Sequence, residues 1–148
     1  MNTLSFKTSL GWITVSEEEN LISSIKFARK KTRGISPVLL KLKKKITEFI
    51  EGKRKKFSIK LKIKGTFLQK RIWNELSLIQ YGTTKSYGDI AKKLGTSPRY
   101  VGNVCGQNNH LLIIPCHRVI RSDGTLGGFS GLGGIKLKKK LLINELYE

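Results

Sequence analysis

The sequence predicts an α+β protein built from two small domains, and three observations carry that prediction. Residues 10–15, 21–27 and 57–63 alternate apolar and polar side chains, the period of two that turns one face of a strand toward a core. Residues 37–50, and much of the chain after residue 66, repeat their apolar positions with the helical period instead. Between the two patterns, Gly65-Thr66 joins a chain breaker to a helix-capping residue and marks a boundary. The expected arrangement is an N-terminal domain over residues 1–65, with a three-stranded antiparallel sheet and a helix, followed by a mainly helical domain over residues 66–148.

Leu10, Gly11, Trp12, Ile13, Thr14 and Val15 form the first expected strand. Glu17, Glu18, Glu19 and Asn20 make a polar turn, and residues 21–27 resume the alternation, so the two segments read as a hairpin. Pro37 suits the first position of a helix; Leu39, Leu40, Leu42, Ile46, Phe49 and Ile50 supply its apolar stripe and Gly52 ends it. Residues 57–63 alternate strictly, with lysines on the outer face, and predict the third strand. Thr66 caps a helix over 67–78 whose core face is Phe67, Ile72, Trp73, Leu76 and Ile79. Ser86 caps a short helix over 87–94, Gly95 suits a left-handed turn, and Ser97-Pro98 restarts a helix with serine as cap and proline first. Two short helices joined by a tight glycine turn predict a helix-turn-helix, a pattern that plain helical packing also produces. A short buried stretch over 111–114 then leads into Pro115-Cys116-His117-Arg118. A polar turn at Ser122-Asp123-Gly124, a glycine-rich loop over 127–134 and a basic C-terminal helix follow.

The 29 Lys and Arg against 10 Asp and Glu, a net charge of +19, favour a polyanionic partner, and nucleic acid is the commonest in a cell. Lysines outnumber arginines so heavily that a genome biased to lysine codons explains the same count, and charge alone leaves both readings open. The longest apolar run, over 111–115, is far too short to cross a bilayer, and the N-terminus lacks a signal-peptide pattern. The reading is an intracellular, cytoplasmic protein with no membrane partner. Neither a CxxC pair nor any Cys or His before residue 105 is present, so no metal site is expected.

The two cysteines differ in surroundings. Cys105 reads as a small buried helix residue. Cys116 has His117 beside it to accept a proton, directly or through a water, and Arg118 to add positive charge. Glu145, on the final helix, is placed to orient the histidine, the third role in such relays. Adjacent residues of a strand point to opposite faces, so Cys116 and His117 share a site only if the chain turns there, and Pro115 favours irregular backbone.

Ile113-Ile114-Pro115-Cys116-His117-Arg118-Val119-Ile120 resembles the active-site signature of the O6-alkylguanine-DNA alkyltransferases, the methylated-DNA–protein-cysteine methyltransferases. Phe67 and Trp73, the stretch from Tyr81-Gly82-Thr83 to Ile90-Ala91, Ser97-Pro98-Arg99 with Val101-Gly102, and Gly127-Gly128-Phe129-Ser130 with Leu141, Leu142 and Glu145 are similar to that family's segments in order. The resemblance is close over residues 66–146 and looser before them. It implies an RNase H-like N-terminal domain and a winged-helix-like C-terminal one.

The resemblance also implies site roles. Cys116 takes the alkyl group from guanine O6 once and irreversibly, His117 deprotonates it through a water, Glu145 supports His117, and Asn108 braces the recognition helix against the active-site loop. Asn109 follows where the family usually has proline. Tyr87 and Ser130 donate to the guanine ring, backbone groups of Cys116 and Val119 hold its exocyclic amine, and Phe129 and Gly131 line the pocket, Phe129 standing where tyrosine is common. Arg99 fills the gap left by the flipped base, with Ser97, Pro98, Tyr100 and Gly102 on the DNA-facing side of a helix that enters the minor groove. The implied partner is double-stranded DNA containing O6-alkylguanine, handled by a monomer without cofactor or metal. The alternative is a helix-turn-helix protein that senses or binds alkylated bases without turnover; a cysteine hydrolase would need a water route to an acyl intermediate and lacks a second histidine.

Overall fold

A computed structural model describes residues 1–128 and 134–146, which divide into two compact units. The first is Met1–Ile63 together with Asn109–Leu111; the second is Lys64–Asn108 with the chain from Leu112 onward.

The first unit is a three-stranded antiparallel sheet in the order β1-β2-β3, formed by β1 (Asn2–Thr8), β2 (Gly11–Glu18) and β3 (Leu21–Lys26), with α1 (Pro37–Ile50) packed on β1 and β2. The hairpin expected from the sequence is β2-β3. Its turn residues Glu19 and Asn20 have φ of 53° and 67°, the left-handed pair that matches the twist of a two-residue hairpin. Leu39, Leu42, Ile46, Phe49 and Ile50 of α1 are buried, as are Leu4, Phe6, Ile13 and Val15 of the sheet. Each such side chain contributes about 1.5–3 kcal/mol of burial. Ser36, whose hydroxyl accepts from the Leu39 amide, caps the helix. Leu40, expected in the stripe, is half exposed: it follows Leu39 by one residue and so sits about 100° around the helix.

The third strand is not the one expected. Residues 57–63 form no strand; the segment makes a single parallel bridge at Leu61, where the Ile22 amide donates to Lys60 O at 3.0 Å and the Lys62 amide to Ile22 O at 2.8 Å. The same edge of β3 is met at Ile25 by a second segment, with the Ile25 amide donating to Asn109 O at 2.8 Å and Leu111 N to Ile25 O at 3.2 Å. His110 adds a bond from Nε2 to Ile22 O at 2.9 Å. Two passes of chain share that edge, so neither extends into a ladder. The position falls to β1, on the other side of β2.

In the second unit, α2 (Phe67–Ser77) starts at a reciprocal capping box in which Thr66 Oγ1 accepts from Gln69 N and Gln69 Oε1 accepts from Thr66 N. Trp73 is buried and its Nε1 donates to Val104 O at 3.1 Å. Phe67 does not face the core; it is 79% exposed at the first helical position, with Arg71 over its ring. The next helix, α3 (Tyr87–Leu94), carries a Ser86–Asp89 capping box and ends at Gly95 with φ 70°. α4 (Pro98–Gly106) starts at Ser97, whose hydroxyl accepts from Tyr100 N. The two helices and the turn between them are the expected helix-turn-helix. Lys85–Ser86 (β4) pairs in parallel with Val119–Ile120 (β5), and α5 (Gly134–Leu146) closes the unit.

Candidate active site

Cys116 lies in a run of turns rather than on a strand. Pro115, at φ −81° and ψ 65°, is the centre of a tight turn in which the Cys116 amide donates to Ile114 O at 2.8 Å, and Cys116–Arg118 then form one 3-10 turn. This places Cys116 and His117 on neighbouring positions of a turn rather than on opposite faces of a strand. Four residues earlier, buried Leu112 holds a φ of 75°, a left-handed conformation that costs an L-residue about 1–2 kcal/mol.

Beneath the turn sits a buried ionic cluster. Glu145 Oε2 is 2.6 Å from His117 Nε2, and its two oxygens accept from Arg118 Nε at 2.9 and 3.1 Å and from the Gly82 amide at 3.0 Å. Burial alone raises the Glu145 pKa, but the bonds from His117 and Arg118 outweigh it and hold the carboxyl down at about 2. His117 is fully buried, and that burial pushes its pKa down despite the carboxylate. An ionised Glu145 facing Nε2 requires the imidazole proton there, so Nδ1 keeps its lone pair. Nδ1 has no hydrogen-bond partner among the described residues.

The expectation that Arg118 charges the thiol is corrected. Its Nε is engaged with Glu145, its Nη1 with Ile79 O at 2.9 Å, and its guanidinium lies 5.5 Å over the Tyr81 ring. The cation that acts on Cys116 is Lys138, which the sequence reading missed. Lys138 has no exposed surface, and its ammonium donates to Tyr87 Oη at 3.2 Å and to Gly128 O at 3.4 Å. Burial drives its pKa down, and the nearby thiols act in the opposite sense. One signal in the sequence marks it: Lys138 lies seven residues, two helical turns, before Glu145 and in register with buried Leu141.

Cys116 at rest is a thiol. Burial pushes it up to about 11, although a hydrogen bond from the Asn108 side chain and the charge of Lys138 both pull it down. Asn108 also donates from Nδ2 to Ile114 O at 2.8 Å, so one buried amide ties the end of α4 to the active-site turn.

Cys116 opens onto a cavity of about 680 Å³, a volume typical of small-molecule sites. Tyr87, Gly88, Pro98, Arg99, Gly102, Cys105, Gly127 and Gly128 line it together with the thiol, as do Arg121 and Ser122. Burial keeps Tyr87 and Cys105 protonated, both pushed up to about 12. The Gly127 backbone lies so close to Tyr87 that any side chain there would meet its ring. Of the expected DNA-facing residues, Pro98, Arg99 and Gly102 line the cavity. Ser97 is exposed and caps α4, and Tyr100 on the same helix is half-buried. Val119 is buried, with its amide donating to Cys116 O. Phe129, Ser130 and Gly131 lie outside the described residues. Among the described residues no cluster of three His, Cys, Asp or Glu side chains is placed to hold a metal.

A buried cysteine lining a cavity, a histidine next to it in sequence bonded to a carboxylate, and a helix-turn-helix whose second helix also lines the cavity together make up the candidate site. The family model for the DNA-binding domain of 6-O-methylguanine DNA methyltransferases matches residues 67–146. A methylated-DNA–protein-cysteine methyltransferase of Sulfolobus acidocaldarius is 39% identical over 139 residues, 93% of this chain and 88% of that protein. The inducible enzyme of that name in Bacillus subtilis is 44% identical over 99 residues, 66% of this chain and 54% of its own length, so the chain spans about half of that relative. The structure superposes on that of Mycobacterium tuberculosis OGT in complex with DNA with a TM-score of 0.88 at 30% identity, covering 99% of this chain and 93% of the other. The chain belongs to the O6-methylguanine-DNA methyltransferase family.

Proposed function

We propose that this protein repairs alkylated DNA by moving an alkyl group from O6 of guanine to its own Cys116, once per molecule. The observation that carries this reading is a buried thiol that lines the cavity, next in sequence to a histidine whose Nε2 lies 2.6 Å from the Glu145 carboxylate. In the transfer, a bond forms between Cys116 Sγ and the alkyl carbon as the carbon–O6 bond breaks. The thiol proton passes to His117 Nδ1 through an intervening water, and Glu145 balances the imidazolium that results. Charge builds on the departing guanine, and Tyr87 answers it: Lys138 donates to its oxygen, which leaves the phenolic proton free to point into the cavity and strengthens it as a donor. The product is a thioether, a poor leaving group, and the Cys105 thiol that shares the cavity is held protonated by burial, pushed up to about 12. The protein is therefore reagent as well as catalyst.

A guanine in a duplex hides its O6 from a buried thiol, so the base rotates out of the stack into the cavity. Arg99 stands at the cavity wall on α4, where its side chain replaces the missing base, with α4 in the minor groove. Minor-groove contact carries little sequence information, which suits lesions that arise anywhere. The protein acts as a monomer inside the cell, where its substrate is.

Incubation with O6-benzylguanine followed by intact-mass measurement tests the reading. One benzyl group on Cys116, with guanine released in no more than equimolar amount, is expected; repeated turnover, or the adduct on Cys105, would overturn it.

A further inference from the structure

The unit that lacks the thiol carries the larger share of the charge. Residues 1–63 hold 16 Lys and Arg against five Glu, a net of +11, whereas residues 64–148 hold 13 against five, a net of +8. From residue 20 to residue 47 there are nine cations and no Asp or Glu. A general bias toward lysine raises the count, but it does not arrange it.

Residues 29–33 are arranged. The Thr3 amide donates to Arg33 O and the Arg33 amide to Thr3 O, both at 2.8 Å, which straps this segment along the free edge of β1. The Ser5 amide donates to Thr32 Oγ1 at 3.1 Å and the Lys30 amide to Ser5 Oγ at 3.3 Å. At the start of the strap, Thr14 Oγ1 donates to Ala28 O at 2.7 Å. Backbone groups are thus turned to the sheet, and Arg29, Lys30, Lys31 and Arg33 are all exposed. The Arg29 guanidinium lies 4.5 Å over the Trp12 ring, and Lys7 stands opposite Trp12 in the β1-β2 register.

The carboxylates of this unit are placed elsewhere. Glu18 pairs with Lys62, Glu48 with Arg54 and Glu51 with Lys53, Glu17 accepts from Asn2 and from the Asn20 amide, and Glu19 sits in the β2-β3 turn. Among the described residues, Lys7, Arg29, Lys30, Lys31 and Arg33 enter no ion pair. Five cations on one ridge without counter-charges repel each other, and a ligand that brings a row of anions relieves that repulsion.

We propose that this ridge binds the phosphodiester backbone of duplex DNA, with no requirement for a lesion or a sequence. Backbone contacts of this kind supply most non-specific DNA affinity and let a protein slide between sites. The choice of DNA as the polyanion rests on the repair reading above; the phosphate-binding chemistry does not.

The test compares two variants of the full chain that each lose four charges. One replaces Arg29, Lys30, Lys31 and Arg33 with Gln; the other replaces Lys41, Lys44, Lys56 and Lys60, which are equally exposed. Binding to an undamaged duplex is followed by fluorescence anisotropy across a salt series, and the rate of reaction with free O6-benzylguanine reports an intact fold. The ridge variant is expected to lose at least tenfold in affinity and to lower the log–log salt slope by about 0.9 for each phosphate contact removed, two or more contacts in all. The comparison variant should change the slope by less than one contact, with free-base reaction unchanged in both. Equal losses in the two variants, or an unaltered slope in the ridge variant, would overturn the proposal. Native protein that binds duplex DNA but never reacts with O6-benzylguanine would refute the repair reading and leave the comparison of slopes intact.

Discussion

Replacing His117 with Gln separates two ways in which Cys116 can lose its proton. Burial sets the thiol at about 11. At pH 7.4 that leaves about one molecule in 4,000 as thiolate, a cost of about 5 kcal/mol at 1.36 kcal/mol per pK unit. In the native protein the proton moves to His117 Nδ1, so the reactive thiolate–imidazolium pair holds the same number of protons as the resting thiol and imidazole. Its population, and hence the transfer rate, is independent of pH between the lowered pKa of His117 and about 11. The Gln side chain keeps a donor for Glu145 but offers no base, and thiolate then forms only by losing a proton to solvent. Its rate should be slower by about 10²–10⁴ at pH 7.4 and climb tenfold with each pH unit. The assay is single-turnover transfer from O6-methylguanine in a short duplex, at saturating protein, between pH 7 and pH 9.5. A native rate that itself rises tenfold per unit, or a variant whose profile stays flat, would refute the reasoning.

Three further outcomes follow from the same geometry. In Gly127→Ala the new methyl lies 2.8 and 2.9 Å from ring carbons of Tyr87 and crowds its hydroxyl, so single-turnover transfer should slow at least tenfold while the thermal midpoint moves only a few degrees. In Glu145→Gln the buried Arg118 loses its counter-charge, a loss of about 3–5 kcal/mol readable as a lower urea midpoint at pH 7. The native carboxyl sits at about 2 against an ordinary 4.5, so its contribution of about 3 kcal/mol is fully present above pH 4.5 and is lost as pH falls toward 2; the variant should be less sensitive to pH across that window. Lys138→Met removes a desolvated ammonium, so stability in urea should hold or rise while the transfer rate falls, because Tyr87 loses the donor that orients it.

The helices were legible because their signals are local. Thr66 with Gln69, Ser86 with Asp89, and Ser97 before Pro98 place a donor-satisfying side chain at the first turn of a segment whose own periodicity is helical, and nothing distant is needed to read them. Strands lack that property. Residues 57–63 alternate as strictly as any in the chain, yet they meet an edge of β3 already shared with Asn109 and Leu111, whereas the more polar Asn2–Thr8 finds all of β2 free beside it. Alternation shows that a segment fits a sheet; whether it joins one depends on which edges its neighbours leave open.

The site divides along the same line. Cys116, His117 and Asn108 are close in sequence, and chemistry alone marks the pair at 116–117. The charge around them is not local. Arg118, adjacent to the histidine, is drawn away to Glu145, while Lys138, 22 residues from the thiol and hidden among Lys136, Lys139 and Lys140, supplies the cation. What distinguishes Lys138 from those neighbours is its register on α5: only it shares the buried side with Leu137, Leu141 and Glu145. Seven helical residues rise about 10.5 Å, so one rigid element carries the charge that reaches Tyr87 in the cavity at one end and the charge that orients His117 at the other. The spacing between acid donor and proton acceptor is then set by the pitch of a helix, which holds it to a tolerance that loop-borne groups do not reach.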